Sequence, residues 1–220
     1  MAEIDLLRRR VINVVGHELR TPVTTLRGLA EVLRTADLTT IRDEIGPRLL
    51  ANLRRLERML DDLLVGSGVT TALPVGRATP EPAAPALVSA WADLGTGADL
   101  AIGGDIDARV LLPPGSWERI VAHVLANVAS YGEPPVAATI TASPSTTTVA
   151  VAAAGSTPTD QELRLAFEPF FRGEAAVMNN PGLGLGLTVV KALVEQAGGT
   201  AKLTANPSGG TVTTLELPAP

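Results

Sequence analysis

The chain has 220 residues, of which 45% are hydrophobic, and a mean hydropathy of +0.25, so it can bury a core and is not a disordered polymer. Its 18 basic and 23 acidic residues give a net charge of −5, which argues against binding nucleic acid through its phosphates. The absence of cysteine excludes disulfides, thiol catalysis and thiolate metal sites. No apolar run reaches the roughly 20 residues of a membrane helix, and we expect a cytoplasmic protein without a membrane segment.

Charge density divides the chain into two parts. Residues 1–65 carry 21 charged side chains, whereas the 155 residues that follow carry 20. The segment from Gly66 to Pro85 contains four prolines, three glycines and no apolar period, which is typical of a linker. We therefore predict a first domain at 1–65, a linker at 66–83 and a second domain at 84–220.

The first part predicts two helices. Apolar residues recur at steps of three and four over 4–33, and a second series over 41–64 has an average step near the 3.5 of a helical bundle. A single hairpin of this kind leaves much of its apolar surface in water. It is therefore expected to pair with a second copy in a homodimeric four-helix bundle.

The second part alternates helices and strands. Predicted helices cover 84–94, 116–131 with Ser116 as N-cap, 160–166 and 187–197, the last closed by Gly198-Gly199. Predicted strands cover 109–112, 136–142, 147–152, 200–205 and 211–217. This mixture indicates an α/β sandwich with one mixed sheet and helices on one face, and hence an α+β chain overall.

The only histidine of the first part lies in Gly16-His17-Glu18-Leu19-Arg20-Thr21-Pro22. His17 falls outside the apolar stripe and is expected to face water, where imidazole is a nucleophile near neutral pH. Glu18 can orient or deprotonate the ring, Thr21 lies one turn later on the same face, and Pro22 is expected to bend the helix. A solvated surface histidine beside a kink is the alternative interpretation.

Alternating glycines lead into the helix predicted from Leu187. In Gly182-Leu183-Gly184-Leu185-Gly186 the backbone N–H groups can approach an anion, and the helix N-terminus adds positive charge. These glycines end a 14-residue loop, Gly173 to Gly186, that is long enough to be a lid. All three phenylalanines of the chain lie in Phe167-Glu168-Pro169-Phe170-Phe171, just before this loop.

The helix predicted from Ser116 carries a polar pair. His123 and Asn127 are four residues apart and therefore share one face. The amide oxygen of asparagine is a suitable ligand for Mg²⁺. An ordinary polar helix face explains the pair equally well.

Together these segments resemble the catalytic core of the sensor histidine kinases of two-component signalling. His17 to Pro22 matches the H-box of that family, Asn127 with Tyr131 the end of its N-box, and Phe167 to Arg172 its F-box. Gly182, Gly184, Gly186 and Leu187 match the final glycine box. The resemblance covers about residues 5–217.

The resemblance implies a role for each segment. His17 would attack the γ-phosphate of ATP and pass the phosphoryl group to an aspartate in the receiver domain of a response regulator. Glu18 would be its general base, and Thr21 with Glu18 would position water to dephosphorylate the regulator. Asn127 would hold Mg²⁺. The implied nucleotide-binding set is His123, Asn127, Tyr131, Gly155, Arg172, Gly182, Gly184, Gly186, Leu187 and Thr188.

The chain departs from the family where adenine would bind. The family's Asp-x-Gly-x-Gly box falls on Ala153 to Thr157, so the aspartate that would accept the adenine amino group is Ala153, and the last glycine is Thr157. His123 stands at the earlier asparagine of the N-box, and Ser130 at its lysine. A lost charge-assisted hydrogen bond costs about 1.5–3 kcal/mol, so we expect weakened adenine binding that an aspartate at position 153 restores.

Two functions remain open at this stage. The first is an ATP-dependent protein-histidine kinase that can also dephosphorylate its regulator. The second is an ATP-independent histidine phosphotransfer protein or pseudokinase whose C-terminal domain binds a partner. The glycines, the phenylalanines and Asn127 favour the kinase, whereas Ala153 and His123 favour the relay module.

Overall fold

The N-terminal part is a helical hairpin. The computed structural model describes residues 2–69, 73–173 and 182–220, with side chains from residue 15 onward. Helix α1 covers Ala2–Leu33, α2 covers Leu38–Thr40, a π-helical turn covers Ile41–Ile45, and α3 covers Gly46–Gly66. Asp37 caps α2 by accepting a hydrogen bond from the Thr40 N–H at 2.9 Å. Since α3 returns along α1, the predicted hairpin is confirmed.

The π-helical turn has a local cause that the apolar pattern does not reveal. Pro47 has no N–H group, so it cannot donate the α-helical hydrogen bond to the carbonyl of Asp43. The N–H of Gly46 instead bonds to the carbonyl of Ile41, five residues earlier. The apolar series thus runs through a change of helix type.

The second part is the predicted α/β sandwich. Its helices are α4 (Ala83–Leu94), α5 (Ser116–Tyr131), α6 (Asp160–Leu165) and α7 (Gly186–Gln196). Its strands are β1 (Thr79–Pro82), β2 (Leu100–Gly104), β3 (Arg109–Leu112), β4 (Glu133–Ala142), β5 (Thr146–Ala154), β6 (Thr200–Ala205) and β7 (Thr211–Pro218).

A five-stranded mixed sheet in the order β2-β4-β5-β7-β6 forms one layer, with β2 parallel to β4 and the other pairs antiparallel. Buried residues alternate along β5, as expected for a strand that packs on one face. Those residues share one apolar core with the inward faces of α4, α5 and α7. The sheet and these helices therefore hold the polar face of α5 and the start of α7 in fixed relative positions.

One local prediction needs correction, and two strands were not predicted. Ser116 is not an N-cap: Gly115, at φ +77°, caps α5, and Ser116 is its buried first residue. Strand β1 lies inside the segment predicted as linker and pairs with β3. Strand β2 was not predicted because its run of Gly and Ala carries little strand signal. Among the described residues, no helix combines the length and apolarity that crossing a membrane requires.

Candidate functional site

His17 projects from α1 into water. Its side chain is 77% exposed, as predicted, whereas the neighbouring Glu18 side chain is only 12% exposed. The Nδ1 atom of His17 lies 3.6 Å from Oε1 of Glu18, slightly beyond hydrogen-bond distance. A small rotation of either side chain would bring the carboxylate into contact with the ring, while the other ring nitrogen remains open to an incoming molecule.

Thr21 and Pro22 follow one turn later. The exposed Thr21 hydroxyl donates to the carbonyl of His17 at 3.5 Å, which places it on the same side of α1. Pro22 is buried and lies inside a helix that continues to Leu33. Because Pro22 has no N–H, the carbonyl of Glu18 lacks its regular helical donor. The predicted H-box residues thus form one compact surface on α1.

The phenylalanine segment (167–172) and the glycine segment (182–186) are joined directly. The N–H of Phe170 donates to the carbonyl of Gly184 at 3.0 Å, and the Thr188 hydroxyl donates to the carbonyl of Phe167 at 3.1 Å. Gly184 has φ +69°, and a Cβ atom there would lie 2.6 Å from the carbonyl oxygen of Phe171. Only glycine fits this junction without displacing the backbone.

The glycine segment alternates glycines with leucines that turn into the apolar core. Leu183, Leu185 and Leu187 are buried, whereas a Cβ atom added at Gly182 meets no described atom within 4 Å. Gly186 begins α7, whose first turn contains no acidic side chain. A helix N-terminus approached by an open glycine backbone suits an anion such as a phosphate.

Arg172, another predicted nucleotide residue, lies at the glycine segment. The half-buried Arg172 lies beside Gly184, since its Cγ would be 3.0 Å from a Cβ there. The predicted lid spans 173–186, and its residues 174–181 lie outside the described part of the chain.

Helix α5 brings His123 next to the glycine segment. A Cβ atom at Gly186 would lie 3.4 Å from Nδ1 of His123, so the ring and the glycine backbone are neighbours. Asn127 is half-buried one turn later on the same helix, and Tyr131 is 46% exposed at its end. The amide of Asn127 can supply a neutral oxygen ligand to a divalent cation near an anion at Gly186.

The position that the resemblance assigns to adenine recognition is apolar. Ala153 lies near the end of β5, is 1% exposed, and belongs to the core. Its methyl group packs so tightly against Gly132 that a Cβ there would approach to 2.7 Å. Gly155, at φ +124°, begins the turn that follows β5. Position 153 therefore supplies no carboxylate that could accept a hydrogen bond from adenine.

A contact between the hairpin and α5 was not predicted. Oδ1 of Asp62 on α3 lies 2.8 Å from Nη2 of Arg119 and 3.3 Å from Nε2 of His123. Burial raises the pKa of Asp62, but hydrogen bonds and charges from His123 and Arg119 outweigh it and leave that pKa lowered. Asp62 and Arg119 are 57 positions apart in the chain, so no local sequence pattern indicates this pair.

Two family models match the chain in order. The model described as "His Kinase A (phospho-acceptor) domain" matches residues 7–65, and "Histidine kinase-, DNA gyrase B-, and HSP90-like ATPase" matches residues 114–220. The first match contains His17 and ends close to the hairpin end predicted here. The second contains α5, the phenylalanine segment and the glycine segment.

Relatives and solved structures agree with these matches. The chain is 28% identical to a bacteriophytochrome of Pseudomonas aeruginosa over 88% of its own length but only 27% of that protein. It is 34% identical to the sensor histidine kinase component HK1 of Mycobacterium tuberculosis, over 57% of this chain and 74% of that protein. The structure of the Acinetobacter baumannii histidine kinase AdeS shares the fold with a TM-score of 0.60 at 20% identity, over 92% of this chain and 98% of that chain.

Proposed function

This chain belongs to the sensor histidine kinases, and from that membership we propose that it transfers the γ-phosphoryl group of ATP to His17 and then to an aspartate of a response-regulator receiver domain. The prediction of a histidine protein kinase core is confirmed, and the ATP-independent alternative is not favoured. The observation that carries the proposal is an exposed imidazole on a helical hairpin whose third helix ends against the glycine segment at the start of α7. The cytoplasmic location stays a prediction.

The geometry at His17 supports a definite order of proton and phosphoryl movement. Because Nδ1 faces Glu18, we assign the proton to Nδ1 and the attacking lone pair to Nε2. As the new N–P bond forms, the bond between the γ-phosphorus and the ADP oxygen breaks, and Glu18 accepts the Nδ1 proton. A carboxylate that is 12% exposed next to an open ring suits this role.

The phosphate end of the second domain fits ATP. The backbone N–H groups of the glycine segment, the N-terminus of α7 and the adjacent Arg172 can neutralise the negative charge of the triphosphate. Asn127 would hold Mg²⁺, which supplies further charge neutralisation when bound. Position 153 is apolar, so in this proposal the adenine amino group is bound without a hydrogen bond to a carboxylate there.

The exposed surface around His17 is also where we expect a partner protein to bind. We propose that a receiver domain docks on the hairpin at the exposed His17 and Thr21, where the Thr21 hydroxyl and the Glu18 carboxylate can also position water for dephosphorylation. We further propose that two copies pair through their hairpins. The chain spans about a quarter of the bacteriophytochrome it matches, so the signal received is outside this proposal.

The experiment uses the two histidines of the chain, His17 and His123. Incubation with Mg-ATP labelled at the γ-phosphate is expected to give acid-labile label that is absent from His17→Gln and present at a reduced level in His123→Gln, whose side chain lies at the proposed phosphate site. Label retained in His17→Gln would contradict the assignment. No nucleotide binding at millimolar ATP by calorimetry, together with phosphoryl uptake from a phosphorylated receiver domain, would favour the relay module instead.

A further inference from the structure

A charged cluster joins the hairpin to the second domain. It consists of Asp62 on α3 and Arg119 and His123 on α5, and we call it the Asp62 cluster. All three side chains are largely enclosed, with exposures of 14% for Asp62 and Arg119 and 18% for His123. Such enclosure strengthens the attraction and makes the loss of one partner costly. The cluster is therefore a specific interdomain contact rather than a solvated surface pair.

His123 links this contact to the glycine segment. Its Nε2 atom faces Asp62, while its Nδ1 side lies against Gly186, where a Cβ atom would be 3.4 Å away. One imidazole therefore contacts both the hairpin and the proposed phosphate site. A movement of the ring toward either neighbour alters its contact with the other.

Apolar packing accompanies the charges. Val65, one turn beyond Asp62 on α3, is buried in the core of the second domain, and a Cβ atom at Gly66 would overlap the side chain of Leu185. The end of α3 thus lies directly on the glycine segment. Hairpin docking and the anion site share one surface.

The second domain docks at a different height along the hairpin from His17, as the helix geometry shows. His17 precedes the end of α1 by 16 residues, whereas Asp62 follows the start of α2 by 24, so at 1.5 Å per residue Asp62 lies about 12 Å farther from the hairpin connection. Phosphorylation of His17 requires the glycine segment to approach that level. The Asp62 cluster opposes this displacement.

We propose that Asp62 is an internal anion that restrains the second domain on the hairpin through Arg119 and His123, and that it competes with the nucleotide triphosphate for His123. Nucleotide binding then weakens the Asp62 cluster, and loss of the cluster strengthens nucleotide binding, because the coupling is reciprocal. The nucleotide half of this inference rests on the proposed function. The restraint itself does not.

The restraint is tested without nucleotide. The chain contains no cysteine, so spin labels can be attached at Arg54→Cys on α3 and Lys191→Cys on α7, both exposed, with excess unlabelled chain present to isolate distances within one chain. We expect one narrow distance distribution for the native pair. It should broaden in Asp62→Asn and more strongly in Asp62→Lys, while the exposed neighbour variants Asp61→Asn and Asp61→Lys leave it unchanged. Unchanged distributions in both Asp62 variants would overturn the proposal.

The competition is tested by calorimetry with Mg-ATP. Asp62→Asn is expected to bind nucleotide about fivefold more tightly or better, and Asp61→Asn as the native chain does. Equal or weaker binding by Asp62→Asn would overturn the competition, and weaker binding would instead assign Asp62 a supporting role at the metal. If the native chain binds no nucleotide, the proposed function fails, and the spin-label result still decides the restraint.

Discussion

Ala153 occupies the position at which the resemblance places the adenine-binding aspartate. It is 1% exposed and packed against Gly132, so an aspartate there would be enclosed by apolar groups. We expect Ala153→Asp to lower stability by about 2 kcal/mol or more, which is about 4–8 °C in Tm. If adenine binds beside this position, as the resemblance implies, ATP should bind the variant about tenfold more tightly than it binds the native chain. Added ATP should then raise the Tm of the variant by more degrees than it raises the Tm of the native chain.

Ala152 provides the matched control for Ala153→Asp. It precedes Ala153 on β5, is half-buried, and its side chain points to the opposite face of the sheet. Ala152→Asp is expected to cost less stability and to leave nucleotide affinity unchanged in thermal-shift and calorimetric titrations. A destabilised Ala153→Asp variant with unchanged ATP affinity would show that the base does not lie at this position.

The positions of individual residues of the candidate site were predictable where a local sequence pattern determines them. The exposure of His17 followed from its place between apolar positions on α1, and the proximity of Glu18 and Thr21 followed from helical spacing. Asp62 has no such signal, because its partners lie on another domain and charged residues are common on helix surfaces. The N-cap at Gly115 was missed because glycine caps the helix through its left-handed backbone and has no side chain that would identify it as a cap.

At the scale of elements, Gly184 joins the phenylalanine segment to the start of α7. Its Cβ would lie 2.6 Å from the Phe171 carbonyl oxygen, in addition to the strain of φ +69°. Gly97 has nearly the same φ of +70°, and a Cβ there meets no described atom within 4 Å. We expect Gly184→Ala to lose about 1–2 kcal/mol more than Gly97→Ala in denaturant unfolding, and to weaken ATP binding, which Gly97→Ala leaves intact. Equal losses would show that the junction tolerates displacement.

The long helices were predictable, whereas strands β1 and β2 and the π-helical turn were not, for physical reasons. Helices α1, α3, α5 and α7 each carry an apolar stripe that repeats over several turns, so their helical period is clear in the sequence despite local irregularities. Strands β1 and β2 have four and five residues, rich in Pro, Gly or Ala, and are held by pairing with distant partners. The π-helical turn before Pro47 depends on one missing N–H group, which apolar spacing does not record.

For the whole molecule, the separation into hairpin and sandwich followed from charge density, but their docking did not. It depends on Asp62, Val65 and Gly66 at the end of α3, which the apolar pattern assigns only to the hairpin.

Helix α3 has apolar residues on two sides. Half-buried residues face α1, and four residues on the other side are 41–52% exposed, namely Leu50, Leu53, Leu60 and Leu64. This second stripe is the surface on which we expect another copy to pack.

Dimerisation through that stripe is tested by the double variant Leu53→Glu, Leu60→Glu. Burying the exposed half of a leucine contributes about 1 kcal/mol, and the stripe is used by both copies, so the variant should weaken the dimer by at least about 100-fold. Sedimentation velocity is expected to give twice the 22.7 kDa chain mass for the native protein and the single mass for the variant. Val88→Glu, which replaces a 58% exposed residue of α4, should remain dimeric. A native monomer, or a dimer that survives both glutamates, would refute the hairpin interface, since a charged stripe cannot form the apolar centre of a four-helix bundle.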